Sequence, residues 1–181
     1  LEKRHVWRTF LHAHVFMFSL LSVNKIFKSF DLELVDAYPQ PTHGGSMRYV
    51  IARKKTRNVS KLVKKIINKE ISMKMNSLDA YLKFKKDCEN SKNYFYERVL
   101  KLKKQGKRIC GYAAAAKSTT VLNYCKINNK IVDFIADSTK EKIGKFSPGM
   151  HIPIVSIDYF RKKQSDIAIL FGWNHKNEIL N

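Results

Sequence analysis

Three cysteines, Cys88, Cys110 and Cys125, are all that the chain carries. They are odd in number and show no Cys-x-x-Cys spacing, which argues against a disulfide framework or a zinc knuckle and points to a reducing, cytoplasmic setting. Long apolar runs are lacking too. The stretch Phe10 to Val23 is interrupted by His12, His14 and Ser19 and is too short to cross a bilayer. Lys3, Arg4 and Arg8 precede it, but no small-x-small cleavage site follows, so it does not read as a signal peptide. Internal repeats and low-complexity tracts are absent. Acidic residues are scarce: 15 Asp+Glu face 35 Lys+Arg, a formal net charge of +20 with a pI of about 9.9. That balance alone would suggest a nucleic-acid partner. Yet arginine is scarce as well, since 27 of the 35 basic residues are lysine, whereas bidentate readers of bases and phosphates are usually arginine. Between Arg53 and Arg108 stand 19 basic and 5 acidic residues, in a segment that reads as helical. The excess is therefore assigned to a solvated lysine-rich face rather than to a nucleic-acid surface.

What is present suffices for one ordinary domain, or one domain and part of another: 181 residues, 44% hydrophobic and 12% aromatic. Ser22 is expected to cap a short helix with Val23, Ile26, Phe27 and Phe30 on one face. Leu32 to Tyr38 alternates as a strand, with Leu32, Leu34 and Tyr38 on one side. A break at Pro39, Pro41, Gly44 and Gly45 precedes a second strand, Met47 to Ala52. These pieces are too few to bury a core and read as the closing edge of a larger α/β sheet in a chain that begins mid-fold. Ser60 then caps a helix carrying Leu62, Val63, Ile66 and Ile67. A longer helix shows the stripe Tyr81, Phe84, Cys88, Ser91, Phe95, Val99 and Leu102 and ends near Gly106.

The last third alternates strand and helix: Arg108 to Tyr112, a small-residue turn at Ala113 to Ala116, a helix Lys117 to Cys125, and a strand Ile131 to Ala136 ending at Asp137. After a Gly/Pro loop come a strand Ile152 to Val155, a helix near Asp158 to Lys163 and a strand Asp166 to Phe171. This order predicts an α/β fold with a parallel sheet, whose ligands bind at the carboxyl ends of the strands, where Tyr112, Asp137 and Trp173 fall. Gly111 to Ser118 lacks only one glycine, at Ala116, of a phosphate-wrapping P-loop. Small residues followed by helix amides and Lys117 still suit a phosphate or pyrophosphate, as well as a plain tight turn. His12 and His14 have no third metal ligand nearby, so no metal site is expected; an imidazole there suits a general base or an ordinary buried or capping histidine. Thr42 to Ser46, with His43, Gly44, Gly45 and Arg48 just beyond, offers amides, a hydroxyl and an imidazole to an anion or a sugar. Pro148 to Pro153, with His151, is a constrained loop of the same kind.

In order, His12-Ala-His14-Val-Phe-Met-Phe18-Ser19, Pro41-Thr-His43-Gly-Gly-Ser46-Met-Arg48, Gly111-Tyr-Ala-Ala-Ala-Ala-Lys117, Leu122-Asn-Tyr-Cys125, Pro148-Gly-Met-His151-Ile-Pro153 and Trp173-Asn174 resemble the sugar C-methyltransferases over nearly the whole chain. The resemblance implies a Rossmann-like parallel-sheet domain preceded by the closing edge of an S-adenosylmethionine (SAM) methyltransferase sheet. It implies residues 1–55 as the tail of that lobe, 56–106 as linker and amphipathic helices, and 107–181 as the substrate domain. The SAM site and a zinc-binding domain would lie upstream, so these residues alone are expected not to transfer a methyl group. In the family's Tyr-His-Glu-His pattern the second histidine, the base beside the substrate ketone, falls on His14 and the first on His12; the Tyr and Glu positions hold Leu11 and Ala13. The nucleotide-diphosphate sugar would meet His43, Gly44, Gly45, Ser46, Arg48, Tyr112, Lys117, Asn123, Tyr124, His151 and Asn174. Family members often have glycine where Ala113 and Ser118 stand. The competing expectation is a degenerate, non-catalytic module that binds a nucleotide sugar or nucleic acid, with a P-loop enzyme a distant third.

Overall fold

The computed structural model describes residues 18–41 and 45–180. It divides into two units, Phe16–Asp87 and Cys88–Asn181. Among the described residues, no helix is long and apolar enough to cross a membrane.

The first unit opens with α1 (Leu20–Lys28). Ser22 is not its cap. Ser19 is, because the two serines form a reciprocal box: Ser19 Oγ accepts from the Ser22 amide at 3.1 Å and Ser22 Oγ accepts from the Ser19 amide at 2.9 Å. The buried face of the helix carries Leu20 and Val23, while Ile26 and, beyond its end, Phe30 are exposed. Two more amino-terminal donors are met from outside, since the Glu70 carboxylate accepts from the amides of Leu20 (2.9 Å) and Leu21 (2.8 Å).

Strands β1 (Leu32–Gln40) and β2 (Ser46–Arg53) pair antiparallel, from Leu32 opposite Arg53 to Gln40 opposite Ser46. The register slips between Leu34 and Asp36. This bulge at Val35 reverses the phase of alternation, so Leu34, Val35 and Ala37 are buried and Tyr38, expected beside Leu34, is exposed. The Val35 carbonyl accepts from the Ser60 amide at 2.9 Å. Ser60 in turn caps α2 (Lys61–Ser72), accepting from the Val63 amide at 3.2 Å. Val63 closes a small core with Leu20, Val23, Leu34 and Ala37, onto which Ile66 and Ile67 pack. The α2 lysines Lys61, Lys64, Lys65 and Lys69 are exposed.

The helix α3 (Leu78–Lys104) runs through the division between the units. Of its apolar stripe, Cys88 and Val99 are buried, while Tyr81 lies outside and donates its hydroxyl to the Met75 carbonyl at 2.9 Å. Gly106, at φ +77°, closes α3: its amide reaches the Lys103 carbonyl and the Lys107 amide reaches that of Leu102. That pairing satisfies the helix's last carbonyls and requires a left-handed residue at Gly106.

In the second unit, β3 (Ile109–Tyr112), α4 (Ala116–Cys125), β4 (Ile135–Ala136), β5 (Ile154–Val155), α5 (Ile157–Lys163), β6 (Ile167–Leu170) and α6 (Lys176–Leu180) follow in order. The four strands form one parallel sheet with spatial order β5-β4-β3-β6. Helices flank it, so the unit is Rossmann-like α/β. Its core joins Ile109, Val121, Leu122, Ile127, Val132, Ile135, Ile152 and Phe171 with Val99 of α3. All four strands are shorter than the sequence suggests, β4 and β5 by half or more. Asn128 draws residues 130–132 into a turn, accepting from the Lys130 amide on its side chain and from the Ile131 and Val132 amides on its carbonyl. Pro153 has no amide to give to a ladder, so β5 starts at Ile154.

Candidate functional site

Strand order locates the site. From β3 the chain moves outward on one side to β4 and β5, then crosses back to place β6 on the other side of β3. The carboxyl ends of β3 and β6 therefore flank the point where the winding reverses, which is where open α/β sheets receive ligands.

At that point β3 ends in Tyr112 and the chain turns through Ala113, Ala114 and Ala115 into α4. Ala113 holds φ +73°, a left-handed conformation disfavoured for a residue with a Cβ. The Ala115 amide closes the turn on the Ala113 carbonyl at 3.0 Å. Ala115 is the N-cap and has no polar side chain, so the amino end of α4 carries no side-chain cap. Lys117 stands in its first turn.

Across from this turn, β6 runs through Phe171 into Gly172 and the short 3-10 turn Trp173–His175. A Cβ on Gly172 would stand 3.0 Å from that of Ala113, so the segments leaving β3 and β6 pass close to each other. Lys117 Nζ sits 5.3 Å from the centre of the Trp173 ring, within cation–π range. The next residue, Asn174, buries its Oδ1 with no hydrogen-bond partner among the described residues. Tyr112 packs edge-on against Phe160 of α5 at 5.5 Å.

Asp137 follows β4 and is buried. One carboxylate oxygen accepts from the Thr139 amide (2.8 Å), the other from the Ala114 amide (2.7 Å) and Lys142 Nζ (3.3 Å). Lys142 Nζ also donates to the Ala114 carbonyl at 2.9 Å. Burial pushes the Asp137 carboxyl up, but the Thr139 hydroxyl and amide, the Ala114 amide and the Lys142 charge outweigh it and hold the group below the ordinary carboxylate value. Asp137 is thus a fully engaged structural anion.

Within the second unit, the described residues singled out in the sequence do not gather at one place. Tyr112, Lys117 and Asn174 meet at the strand ends. Asn123 and Tyr124 lie at the other end of α4, about 10 Å further along its axis at 1.5 Å per residue. There Asn123 Nδ2 donates to the carbonyls of Thr119 (2.8 Å) and Pro148 (2.9 Å) and anchors the loop that carries His151. The Tyr124 ring receives Lys92 Nζ at 5.5 Å. His151 is exposed at φ +50°. In the other unit, Gly45 and Ser46 are exposed at the start of β2. Arg48 stands opposite Tyr38 on the face turned away from Met47 and Tyr49, which pack on the core. His12, His14, His43 and Gly44 lie outside the described residues.

Sequence reasoning missed two groupings. One is the grip of Lys142 on Ala114; its only signal is a lysine five residues beyond a strand-ending aspartate. The other is on β1, where the Tyr38 hydroxyl donates to Asp36. Tyr38, Ser60 and the Ala37 amide together hold the Asp36 carboxyl below its usual value. Among the described residues, no group of three His, Cys, Asp or Glu side chains could hold a metal.

Residues 41–181 match the family described as the C-methyltransferase C-terminal domain. The chain belongs to that family. C-methyltransferase NovU of Streptomyces niveus is 30% identical to it over 182 residues, an alignment that covers 100% of this chain and 43% of NovU. The chain therefore spans less than half the length of this curated relative. The C-methyltransferase C-terminal domain match takes in β2, α2, α3 and the whole parallel sheet, so the strand-end site lies inside it.

Proposed function

We propose that this chain is the substrate-binding part of a SAM-dependent C-methyltransferase acting on a nucleotide-linked keto sugar, with the diphosphate seated against the amino end of α4 and Lys117. Family membership supports methyl transfer to carbon. The observation that carries the substrate class is the uncapped α4 terminus at the winding reversal, with Lys117 in its first turn. Helix amides and a lysine at one point favour an anion. The buried Asn174 Oδ1, without a partner among the described residues, adds an acceptor for a ligand N–H or O–H, because leaving it unmet costs about 1–3 kcal/mol.

In this reading a carbon beside the ketone loses its proton to His14, the companion of His12 in the same motif, and the enolate carbon takes the methyl group from the sulfonium sulfur of the donor, whose carbon–sulfur bond breaks to leave a neutral thioether. A positioned imidazole contributes about 10² to 10⁴ in rate. The resemblance also assigns Gly45, Ser46 and Arg48, with His43 and Gly44, to the substrate. SAM, the donor that methyltransferases in general use, does not fit the strand-end residues. Both oxygens of Asp137, at the position where Rossmann sheets grip a ribose, are taken by protein donors, and the turn holds Ala113 to Ala115 in place of a glycine-rich loop. The reading therefore assigns SAM to a part of the protein outside these 181 residues. Residues 1–55 are then the tail of that lobe, 56–106 linker and helices, and 107–181 the substrate domain. A cytoplasmic setting belongs to the same reading, supported by three cysteines that form no disulfide. Leu11 and Ala13, in place of the family's Tyr and Glu, favour a second reading, a non-catalytic module that keeps the nucleotide-sugar site.

Calorimetry with dTDP-, GDP- and CDP-sugars, with a salt series and an RNA control, tests the proposal. Saturable binding of one diphosphate sugar, at least ten-fold weaker in Lys117→Ala, is expected. Salt-sensitive RNA binding with no sugar preference would overturn it, as would stoichiometric SAM binding by this chain.

A further inference from the structure

We infer that Asp137 and Lys142 are positioning residues for the phosphate-binding turn, acting through Ala114 to hold Ala113 in its left-handed conformation. The inference rests on the reading of the α4 terminus as the diphosphate site. Three observations support it. Asp137 takes the amide of Ala114 at 2.7 Å and Lys142 takes its carbonyl at 2.9 Å, so the peptide groups on both sides of one residue are fixed from the neighbouring strand's end. The two clamping groups also hold each other, at 3.3 Å. The residue just before the clamp, Ala113, is the one with φ +73°.

The turn's remaining hydrogen bonds are backbone to backbone, from the Ala113 amide to the Ala136 carbonyl at 2.8 Å and from the Ala115 amide to the Ala113 carbonyl at 3.0 Å. Four alanines supply no side-chain hydrogen bond, and α4 has no polar cap. Without the clamp, Ala113 would relax towards negative φ, where a residue with a Cβ is at ease. The chain direction into α4 would change with it. Because binding at a helix end depends on where the first-turn amides point, the clamp would set affinity without touching the ligand. The charge of Asp137 serves this purpose, since a carboxylate accepts from Ala114, Thr139 and Lys142 together, as a neutral amide oxygen could not with equal strength.

The expected signature is suppression. Glycine adopts positive φ without the steric penalty, so Ala113→Gly should substitute for part of the clamp. The probe is the panel of UDP, dTDP and GDP, read by calorimetry on the full 181-residue chain. Asp137→Asn is expected to weaken the diphosphate that wild type binds best by ten-fold or more, and Asp137→Asn with Ala113→Gly to recover to within about three-fold of wild type. Where Asp137→Asn does not fold, Lys142→Met, at a side chain 40% exposed, takes its place with the same expected rescue. A direct ligand would show no rescue by glycine, and urea denaturation of each variant separates a merely stabilising role, in which binding follows the folded fraction, from a positioning role, in which the fully folded variant binds more weakly. Wild-type binding with no loss in the clamp variants, or loss without rescue, overturns the inference and leaves the site standing. Wild type that binds none of the three diphosphates overturns the site and the inference with it.

Discussion

Gly111 separates a packing role from a ligand role. It begins the stretch that resembles a phosphate loop, but it lies inside β3, the strand flanked by both β4 and β6. A Cβ placed there would come 2.7 Å from Phe171 Cε2 and 3.1 Å from Ile135 Cγ1. Phe171 is 1% exposed and Ile135 not at all, so neither can swing clear into solvent. Overpacking of this kind costs about 1–3 kcal/mol. Replacing glycine by alanine returns about 0.4–1 kcal/mol by restricting the unfolded chain. The expected net loss for Gly111→Ala is thus about 1–2 kcal/mol. Trimming the offending ring with Phe171→Leu makes room, so the double variant should be little worse than Phe171→Leu alone, a coupling of about 1 kcal/mol or more. Hydrogen exchange at the β3 amides under increasing urea reads the stability of this unit by itself. A neutral Gly111→Ala, or a double variant whose losses simply add, would refute the packing account. A loss of diphosphate-sugar affinity at unchanged stability would return Gly111 to the ligand.

Two further outcomes follow from the hydrogen-bond geometry. Glu70→Ala removes the acceptor shared by the Leu20 and Leu21 amides and is expected to cost about 1–2 kcal/mol in the first unit, with faster exchange at the start of α1; unchanged exchange there would refute the capping role. Asp137 has a folded pKa held below the unfolded value of 3.8. Its contribution is therefore complete above 3.8 and is lost as pH falls through the lower folded value. Denaturation series from about pH 5 to about pH 2 should show a steeper acid decline in wild type than in Asp137→Asn, and parallel curves would refute it.

Signals carried by one residue hold at α2 and α3 but not at α1, where Ser19 rather than the expected Ser22 is the cap. Ser60 does cap α2, and Gly106 does end α3, because a hydroxyl before an apolar run and a glycine after one act on adjacent backbone. Signals that depend on distant partners were not legible. The Val35 bulge, which flips Tyr38 outward, is fixed by pairing with β2 and by Ser60, neither of which Leu32 to Tyr38 encodes. The alternation of strands and helices revealed the parallel sheet, but not that β6 lies beside β3, and it is this order that puts Trp173 against Lys117. Lys142 was invisible for another reason. In a chain with 27 lysines, one more beyond a strand carries no signal until Asp137 and Ala114 are seen to converge on it.

The same lysine abundance bears on which anion the chain prefers. At the strand ends Asp137 is matched by Lys142, so the local field is set by the α4 terminus and Lys117, both positive. A diphosphate there meets one or two cations and a set of fixed amides, and its affinity should fall only modestly with salt. Engagement of the lysine-rich helices by a polyanion would follow a different law. With 6–10 phosphates neutralised, affinity falls about 10³ to 10⁵ between roughly 50 and 200 mM salt. The slope of the salt series thus reads which part of the +20 charge is in use, whatever the absolute affinity. A shallow slope with Lys117→Ala sensitivity identifies the helix end, and a steep slope indifferent to Lys117 identifies the lysine-rich surface.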